Sequence, residues 1–365
     1  MLEELSCYKN KKVLITGHTG FKGSWLTGWC LMLGADVIGF SLPEPPTSPS
    51  NYELCDLASQ ITDVQGDIND FDALNKLIQA ERPEIIFHMA AQPLVLTSFE
   101  NPRETFGTNA QGTINILEAA RHCDAVKAVV CITTDKVYEN KEWLYGYRED
   151  DRLGGKDPYS ASKAMAELAI SSYVQSFFRP EWHGDRHNVI VASVRAGNVI
   201  GGGDFADFRL VPDCMKALID SGPIVVRNPN YIRPWQHVLV PLGGYLLLGA
   251  KMLSGNSEQW SGAWNFGPPE MNGITTSQIA EKLIEQWGGG KWICENPDAD
   301  KLETSYLRLS WEKAARKLDW RPGYDWEQTL ADITEWYKAW DNGEDLGKLM
   351  QVQIQRYSDW VNVGN

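Results

Sequence analysis

A β-branched apolar run, Val13–Thr16, ends in Gly17-His-Thr-Gly-Phe-Lys-Gly23, and a helical pattern follows at once. This junction constrains the fold more than any other stretch. Gly17 permits a tight turn, Gly20 lets backbone approach a phosphate, and Gly23 allows a helix to pack closely on the strand it has just left. The amino end of that helix supplies unpaired N–H groups and positive potential, which suit an anion. The spacing is G-x-x-G-x-x-G, not G-x-G-x-x-G, so glycines of an ordinary tight turn stand as the alternative at this point.

Strand and helix patterns then alternate at βαβ spacing. Val37–Phe40, Glu84–His88, Ala128–Thr133 and Val189–Val194 are short, apolar and rich in β-branched residues, as strands buried on both faces are. Ser24–Leu33, Phe71–Ala80, Arg103–His122 and Tyr159–Phe177 carry apolar residues at spacings of three and four. The alternation predicts an α/β fold with a Rossmann-type doubly wound parallel sheet, whose ligands lie beyond the carboxyl ends of the strands. Residues 1–200 are expected to form this dinucleotide-binding domain, with parts of 230–265 returning to it. Residues 201–365 are expected to form mainly a smaller α+β substrate lobe, with helices at Ile279–Gln286, Trp311–Leu318 and Glu327–Trp340. Eight of the 15 Trp residues lie between Trp287 and Trp360, most of them expected to serve packing.

Charge removes whole classes of partner. Asp+Glu number 48 against 34 Lys+Arg, a net charge of -14. Such a surface repels phosphate backbones, and no Lys/Arg run reverses it locally, so nucleic acid is not an expected partner. An anionic ligand must be held by a few placed groups. Val238–Leu253 is the most apolar long stretch, yet it contains Pro241, Gly243, Gly244 and Lys251 and is shorter than the about 20 residues of a membrane helix. No membrane partner is expected. The seven cysteines include no C-x-x-C, and no His pair stands at ligand spacing, which points to a reduced interior and no metal. With no apolar signal segment before Val13, a cytoplasmic location is expected.

A dinucleotide site commonly carries a carboxylate near the end of the second strand, to hold the adenosine ribose. Gly39-Phe40-Ser41 stands there instead. No Arg accompanies it, so a 2′-phosphate lacks a partner and NAD is expected over NADP. Asp67, in Gly66-Asp-Ile68 after the third strand, either faces the adenine amino group or stays a solvated loop residue.

Two further motifs carry chemistry. Tyr159 and Lys163 are four residues apart in a segment that Pro158 starts, so both side chains share one helix face. A cation near the phenol is expected to lower its pKa from about 10, letting Tyr159 accept a hydroxyl proton while hydride leaves the carbon. Lys163 is also expected to reach the nicotinamide ribose. The run Cys131-Ile-Thr133-Thr134-Asp135-Lys136 leaves polar groups at the carboxyl end of a buried strand. There Asp135 is placed to protonate a leaving hydroxyl and Lys136 to take a proton from the adjacent carbon, the two titrating as a coupled pair. A plain strand-end ion pair is the alternative.

These residues resemble the extended short-chain dehydrogenase/reductases and, among them, the CDP-glucose 4,6-dehydratase family, over nearly the whole chain. The specific pieces are Gly17-His-Thr-Gly-Phe-Lys-Gly-Ser-Trp-Leu26, Thr134-Asp-Lys136, Tyr138-Glu-Asn140, Gly146-Tyr-Arg-Glu149, Asp157-Pro-Tyr-Ser160, Gly197-Asn-Val-Ile-Gly-Gly-Gly-Asp204, Arg209-Leu-Val-Pro-Asp213 and Arg233-Pro-Trp-Gln-His237. Dehydratases acting on dTDP-glucose typically carry Thr-Asp-Glu where Thr134-Asp-Lys136 stands, so Lys136 discriminates. The resemblance implies a redox-neutral loss of water from CDP-D-glucose through retained NAD. Thr134 would hold the C4 oxygen beside Tyr159, and Lys136 and Asp135 would remove water from C5 and C6. The product implied is CDP-4-keto-6-deoxy-D-glucose, a precursor of dideoxy sugars in surface polysaccharides such as O-antigen. It also implies cofactor contacts from Gly17, Thr19, Gly20, Phe21, Lys22, Gly23, Asp67, Ile68, Ala90, Ala91, Gln92, Asn109, Thr133, Tyr159 and Lys163. Substrate contacts are implied for Thr134, Asn198, Arg209, Arg233 and Arg308; Arg suits phosphate because its planar fork donates in pairs.

Rival readings share the scaffold. A 4-epimerase or a GDP-mannose dehydratase needs the Tyr159 and Lys163 steps, and an epimerase leaves Asp135 and Lys136 without a task. A non-catalytic NAD sensor is the reading from a different class. By resemblance, the segments at Arg103 and Tyr159 form a pairing face, giving a homodimer or homotetramer.

Overall fold

The computed structural model describes residues 2–268, 274–294 and 307–363. Seven parallel strands make one sheet: β1 (Lys12–Thr16), β2 (Asp36–Ser41), β3 (Thr62–Gln65), β4 (Ile85–His88), β5 (Ala128–Ile132), β6 (Ile190–Arg195) and β7 (Gly262–Asn265). Their order is β7-β6-β5-β4-β1-β2-β3. The chain begins in the middle, builds outward to one edge, then returns past β1 to build the other half. Connections therefore diverge between β1 and β4, and a crevice opens at the carboxyl ends of those strands. Every residue of β4, β5 and β6 is buried, which is why the sequence there shows continuous apolar runs with no alternation.

The expected helices form as Phe21–Met32, Phe71–Glu81 and Pro158–Ser176. The segment expected as one helix over Arg103–His122 is broken. It runs as Pro102–Phe106, a wide π turn at Gly107–Gln111, and Gly112–Arg121. Periodicity does not reveal a π turn, and such turns gather at functional sites. Apolar residues fill both faces of the sheet: Trp25, Trp29 and the helix Leu239–Leu253 on one, Ile116, Leu117 and Ile170 on the other. Leu239–Leu253 is apolar all round because it lies buried under other helices.

Past residue 260 the helices among the described residues are Thr276–Trp287, Glu312–Leu318, Trp326–Asp341 and Leu346–Val363. The last has no counterpart in the sequence reading. It packs back on the first helix of the sheet: a Cβ added at Gly28 would lie 2.3 Å from Met350 Sδ, and the Trp29 and Tyr357 rings meet edge to face at 5.7 Å. Most Trp residues of this region are packing residues, as with the fully buried Trp320 and Trp336, while Trp360 is 44% exposed. Among the described residues no helix is long and apolar enough to cross a membrane.

Candidate active site

The glycine-rich turn is shaped by close approaches. Gly17 has φ +73°, and a Cβ there would lie 2.6 Å from Ala90 N, so only glycine lets the end of β1 touch the chain leaving β4. A Cβ at Gly23 would lie 2.1 Å from the Gly17 carbonyl oxygen. Gly20 is the N-cap of the helix Phe21–Met32 and provides no side-chain cap, leaving the first N–H groups for a ligand. Thr19 is buried in the turn, and its N–H points at Ser41 Oγ 3.5 Å away. These features fit a dinucleotide pyrophosphate: an open helix amino end, a backbone with no Cβ in the way, and a position at the β1/β4 switch point.

The opposite lip is Ala90, Ala91 and Gln92. The Thr16 hydroxyl accepts the N–H groups of Met89 and Ala90, both at 3.2 Å. Asn109, fully buried in the π turn, accepts Gln92 N–H at 2.9 Å and donates to Gln92 O at 3.0 Å and Ser162 Oγ at 2.9 Å. Asn109 thus ties the lip to the helix bearing Tyr159. At the end of β2, Ser41 meets His18 Nδ1 at 2.9 Å, and His18 Nε2 meets Asp63 Oδ1 at 3.0 Å. The carboxylate absent from the second strand therefore enters from β3, behind a histidine that the sequence reading left without a role. Asp67 is exposed on the rim and accepts Asn69 N–H at 2.9 Å, while Ile68 is buried beneath it.

Tyr159, Thr134 and Asp135 converge beyond β5. All three are buried, and the Thr134 hydroxyl meets Asp135 Oδ1 at 3.0 Å and lies close enough to the Tyr159 phenol to lower its pKa. Room for the Asp135 carboxylate comes from Gly197, where a Cβ would sit 1.9 Å from Oδ2. Burial raises the Asp135 carboxyl above the ordinary range, with Lys136, the Thr134 hydroxyl and Arg233 opposing. A carboxyl that keeps its proton is what a general acid needs. Lys136 itself is exposed beside it.

The expected lowering of the Tyr159 pKa by Lys163 is corrected here. Burial pushes the phenol up to about 12, and the opposing influences are the Thr134 hydroxyl and Arg209. Lys163 Nζ instead donates to Ile132 O at 3.2 Å, and burial lowers it to about 8. Thr133 is also turned away from the crevice: its hydroxyl donates to Glu167 Oε1 at 2.5 Å.

Cations come in from the second half of the chain. Arg209 lies within electrostatic reach of Tyr159 and is held by Asp204 at 2.8 Å. The turn carrying it is pinned by Trp25 Nε1 donating to Gly202 O at 2.9 Å and by Tyr337 bonding Asp204 O. Arg233 acts on Asp135 from a two-residue strand paired with Ile274–Thr275. Asn198, at φ +48°, accepts Gln236 N–H on its carbonyl at 3.2 Å. The Arg308 carbonyl accepts Tyr147 N–H at 2.8 Å in the loop after β5. Half-buried Lys22 and Phe21 begin the first helix, and Lys22 feels Lys163, Arg209 and Asp135; burial foremost, then the two cations, lower it to about 7. Gly197 stood in a quoted motif without a role, and Glu167 was missed in the sequence reading, although it continues the Tyr159, Lys163 stripe by four residues.

The arrangement joins an anion-binding turn, a phenol, a carboxyl that burial raises above its ordinary range and placed arginines in one crevice. A family model described as GDP-mannose 4,6 dehydratase matches residues 14–190. The CDP-glucose 4,6-dehydratase of Salmonella typhimurium is 46% identical over 351 residues, covering 96% of this chain and 97% of that protein. Among solved structures, the DesIV dTDP-glucose 4,6-dehydratase of Streptomyces venezuelae with NAD and TYD bound has a TM-score of 0.75 at 23% identity, covering 92% of this chain and 99% of that one. The epimerase Mth375 of Methanothermobacter thermautotrophicus reaches 0.79 at 23% identity, covering 93% and 96%. The chain belongs to the extended short-chain dehydrogenase/reductase family, in the branch that contains the Salmonella CDP-glucose 4,6-dehydratase.

Proposed function

We propose that this protein is a CDP-glucose 4,6-dehydratase, a lyase that removes water from CDP-D-glucose to give CDP-4-keto-6-deoxy-D-glucose. The observation that carries the reading is a buried acid, Asp135, beside the phenol Tyr159 at the carboxyl end of β5, in a chain 46% identical to a protein of that name. NAD, the cofactor, would supply a hydride acceptor for the C4 hydrogen and a hydride donor to C6. Gly17, Gly20 and Gly23 would hold its pyrophosphate at the helix amino end, Ala90, Ala91 and Gln92 line the facing lip, and Lys163 would steady the nicotinamide ribose.

The phenolate form of Tyr159, which Thr134 and Arg209 favour against burial, takes the C4 hydroxyl proton, with Thr134 holding that oxygen. The C4 ketone acidifies the C5 hydrogen, Lys136 removes it as a proton, and Asp135 donates its proton to the C6 hydroxyl, which leaves as water. As hydride returns to C6, Lys136 gives its proton back to C5, and the proton Tyr159 took from the C4 hydroxyl replaces, through solvent, the one Asp135 lost, so the sum is sugar to keto-sugar plus water with no net redox change. Arg209, Arg233 and Asn198 hold the diphosphate, and Arg308 is the outermost contact. An epimerase has no use for an acid at Asp135, and burying one costs stability.

The test offers CDP-, dTDP-, UDP- and GDP-hexoses in parallel with NAD and follows loss of a C5 deuterium to solvent. Fast exchange with CDP-glucose is expected; a 4-epimer formed without water loss would overturn the reading. A second copy of the chain is the proposed partner, docking on Leu96, Phe99, Met165 and Leu168, which are 48–60% exposed on the helices Val95–Glu100 and Pro158–Ser176. A monomeric mass at micromolar concentration would remove it. Seven free cysteines support a reducing, cytoplasmic setting.

A further inference from the structure

Behind the crevice lies a buried ion pair that the proposed mechanism leaves without a task. Arg195, the last residue of β6, sends Nε to Glu167 Oε1 at 2.9 Å and Nη2 to Oε2 at 2.8 Å, and both side chains are 3% exposed. The Thr133 hydroxyl at 2.5 Å and the Ser193 hydroxyl at 2.8 Å complete the carboxylate. Burial would raise the Glu167 carboxyl, but Arg195 and the two hydroxyls outweigh it and keep it ionised. Burying such a pair is costly and often no better for stability than an apolar replacement. Its connections, not its energy, are what set it apart.

Three segments hang from it. Arg195 Nη1 donates to the Tyr138 hydroxyl at 2.6 Å and to Glu149 O at 3.0 Å. Tyr138 donates to Asn265 Oδ1 at 2.8 Å, and Asn265 Nδ2 donates to Tyr147 O at 2.8 Å. Thr133 and Tyr138 bracket Thr134, Asp135 and Lys136 on both sides. Glu167 sits on the catalytic helix one turn past Lys163, itself one turn past Tyr159, so the three share a face. Lys163 ties that helix to Ile132, and Glu167 ties it to Thr133, the next residue.

We infer that Glu167 and Arg195 are positioning residues that fix the Thr134-Asp135-Lys136 turn against Tyr159, so that elimination at C5 and C6 depends on them more than oxidation at C4 does. The inference rests on the dehydratase reading. Tyr159 stands on the helix itself and keeps its place if the tie is cut. Asp135 and Lys136 stand on the far side of the tie, and misplacement of about 1 Å can cost about 100-fold in rate.

Thr133→Val tests this, since it removes one hydroxyl and leaves the ion pair whole. The expected result is about tenfold slower product formation at unchanged KM for CDP-glucose. A rise in the isotope effect with C5-deuterated substrate is expected too, with the 4-keto sugar that still carries its C6 hydroxyl detectable by mass in quenched reactions. Thr133→Ser should restore wild-type behaviour. If Thr133→Val does not fold, Tyr138→Phe cuts the other bracket and carries the same expectations. A soluble variant of either kind with wild-type rate and isotope effect overturns the inference. So does a variant in which oxidation at C4 slows as much as elimination. Wild-type protein inactive on every nucleotide hexose overturns the dehydratase reading instead, which separates the two failures.

Discussion

The two halves of the crevice are built in opposite ways. The glycine-rich turn is made by seven consecutive residues, and its shape follows from where a Cβ cannot go: at Gly23 it would lie 2.1 Å from the carbonyl of Gly17. The acid side is assembled from β5, the helix Pro158–Ser176, Gly197 after β6 and Arg209, and its charge is set by burial. A phosphate cradle needs only backbone, which local sequence can dictate. A carboxyl held above its ordinary range needs a dry pocket, and only distant segments can enclose one.

Substitutions can break this comparison or sharpen it. The largest effect is expected where the halves meet: Tyr159→Phe removes the proton acceptor and should lower kcat by about 10³-fold, with nucleotide-sugar affinity unchanged by calorimetry. The two crowded glycines should then fail differently. Gly23→Ala is expected to cost about 3 kcal/mol of stability through overpacking and to abolish NAD binding. Gly197→Ala should keep NAD affinity while moving Asp135 and slowing C5 deuterium loss about 100-fold. Equal loss of NAD affinity in both variants would erase the distinction between a local and an assembled half.

pH separates the halves further. Burial lowers Lys163 to about 8, so its charge is present below that value and absent above it. kcat/KM should accordingly fall on an alkaline limb centred about 8, about tenfold per unit beyond it. The smallest effect concerns stability. The Asp135 carboxyl is raised in the fold, so the native chain holds this proton more tightly than the unfolded chain does. That contribution is fully present in acid, below the unfolded value, and is lost as pH rises through the raised one. Asp135→Asn should therefore melt higher than wild type at neutral pH, by an advantage that vanishes in acid, while losing water elimination. Calorimetric melts across the acid range check the sign.

Particular elements show what was legible. Val13–Thr16 and Ala128–Thr133 were readable as strands because parallel strands buried on both faces must be apolar throughout. Tyr159 and Lys163 were readable as neighbours because helix geometry fixes a spacing of four. The π turn that holds Asn109 was not, since it differs from an α-helix by one bond register and leaves composition unchanged. Leu346–Val363 escaped notice because its polar face made it resemble the surrounding lobe, whereas Met350 and Tyr357 pack on the first helix.

By itself the sequence determined the alternation of strands and helices, the phosphate turn and the shared helix face of Tyr159 and Lys163, because each rests on contacts within a few residues. Tertiary structure decided their protonation. Burial carried the Tyr159 phenol up to about 12 against the lowering expected from Lys163, and it raised the Asp135 carboxyl above its ordinary range against Lys136, the Thr134 hydroxyl and Arg233. Desolvation is a property of everything packed around a group, and residues far apart in the chain supply it.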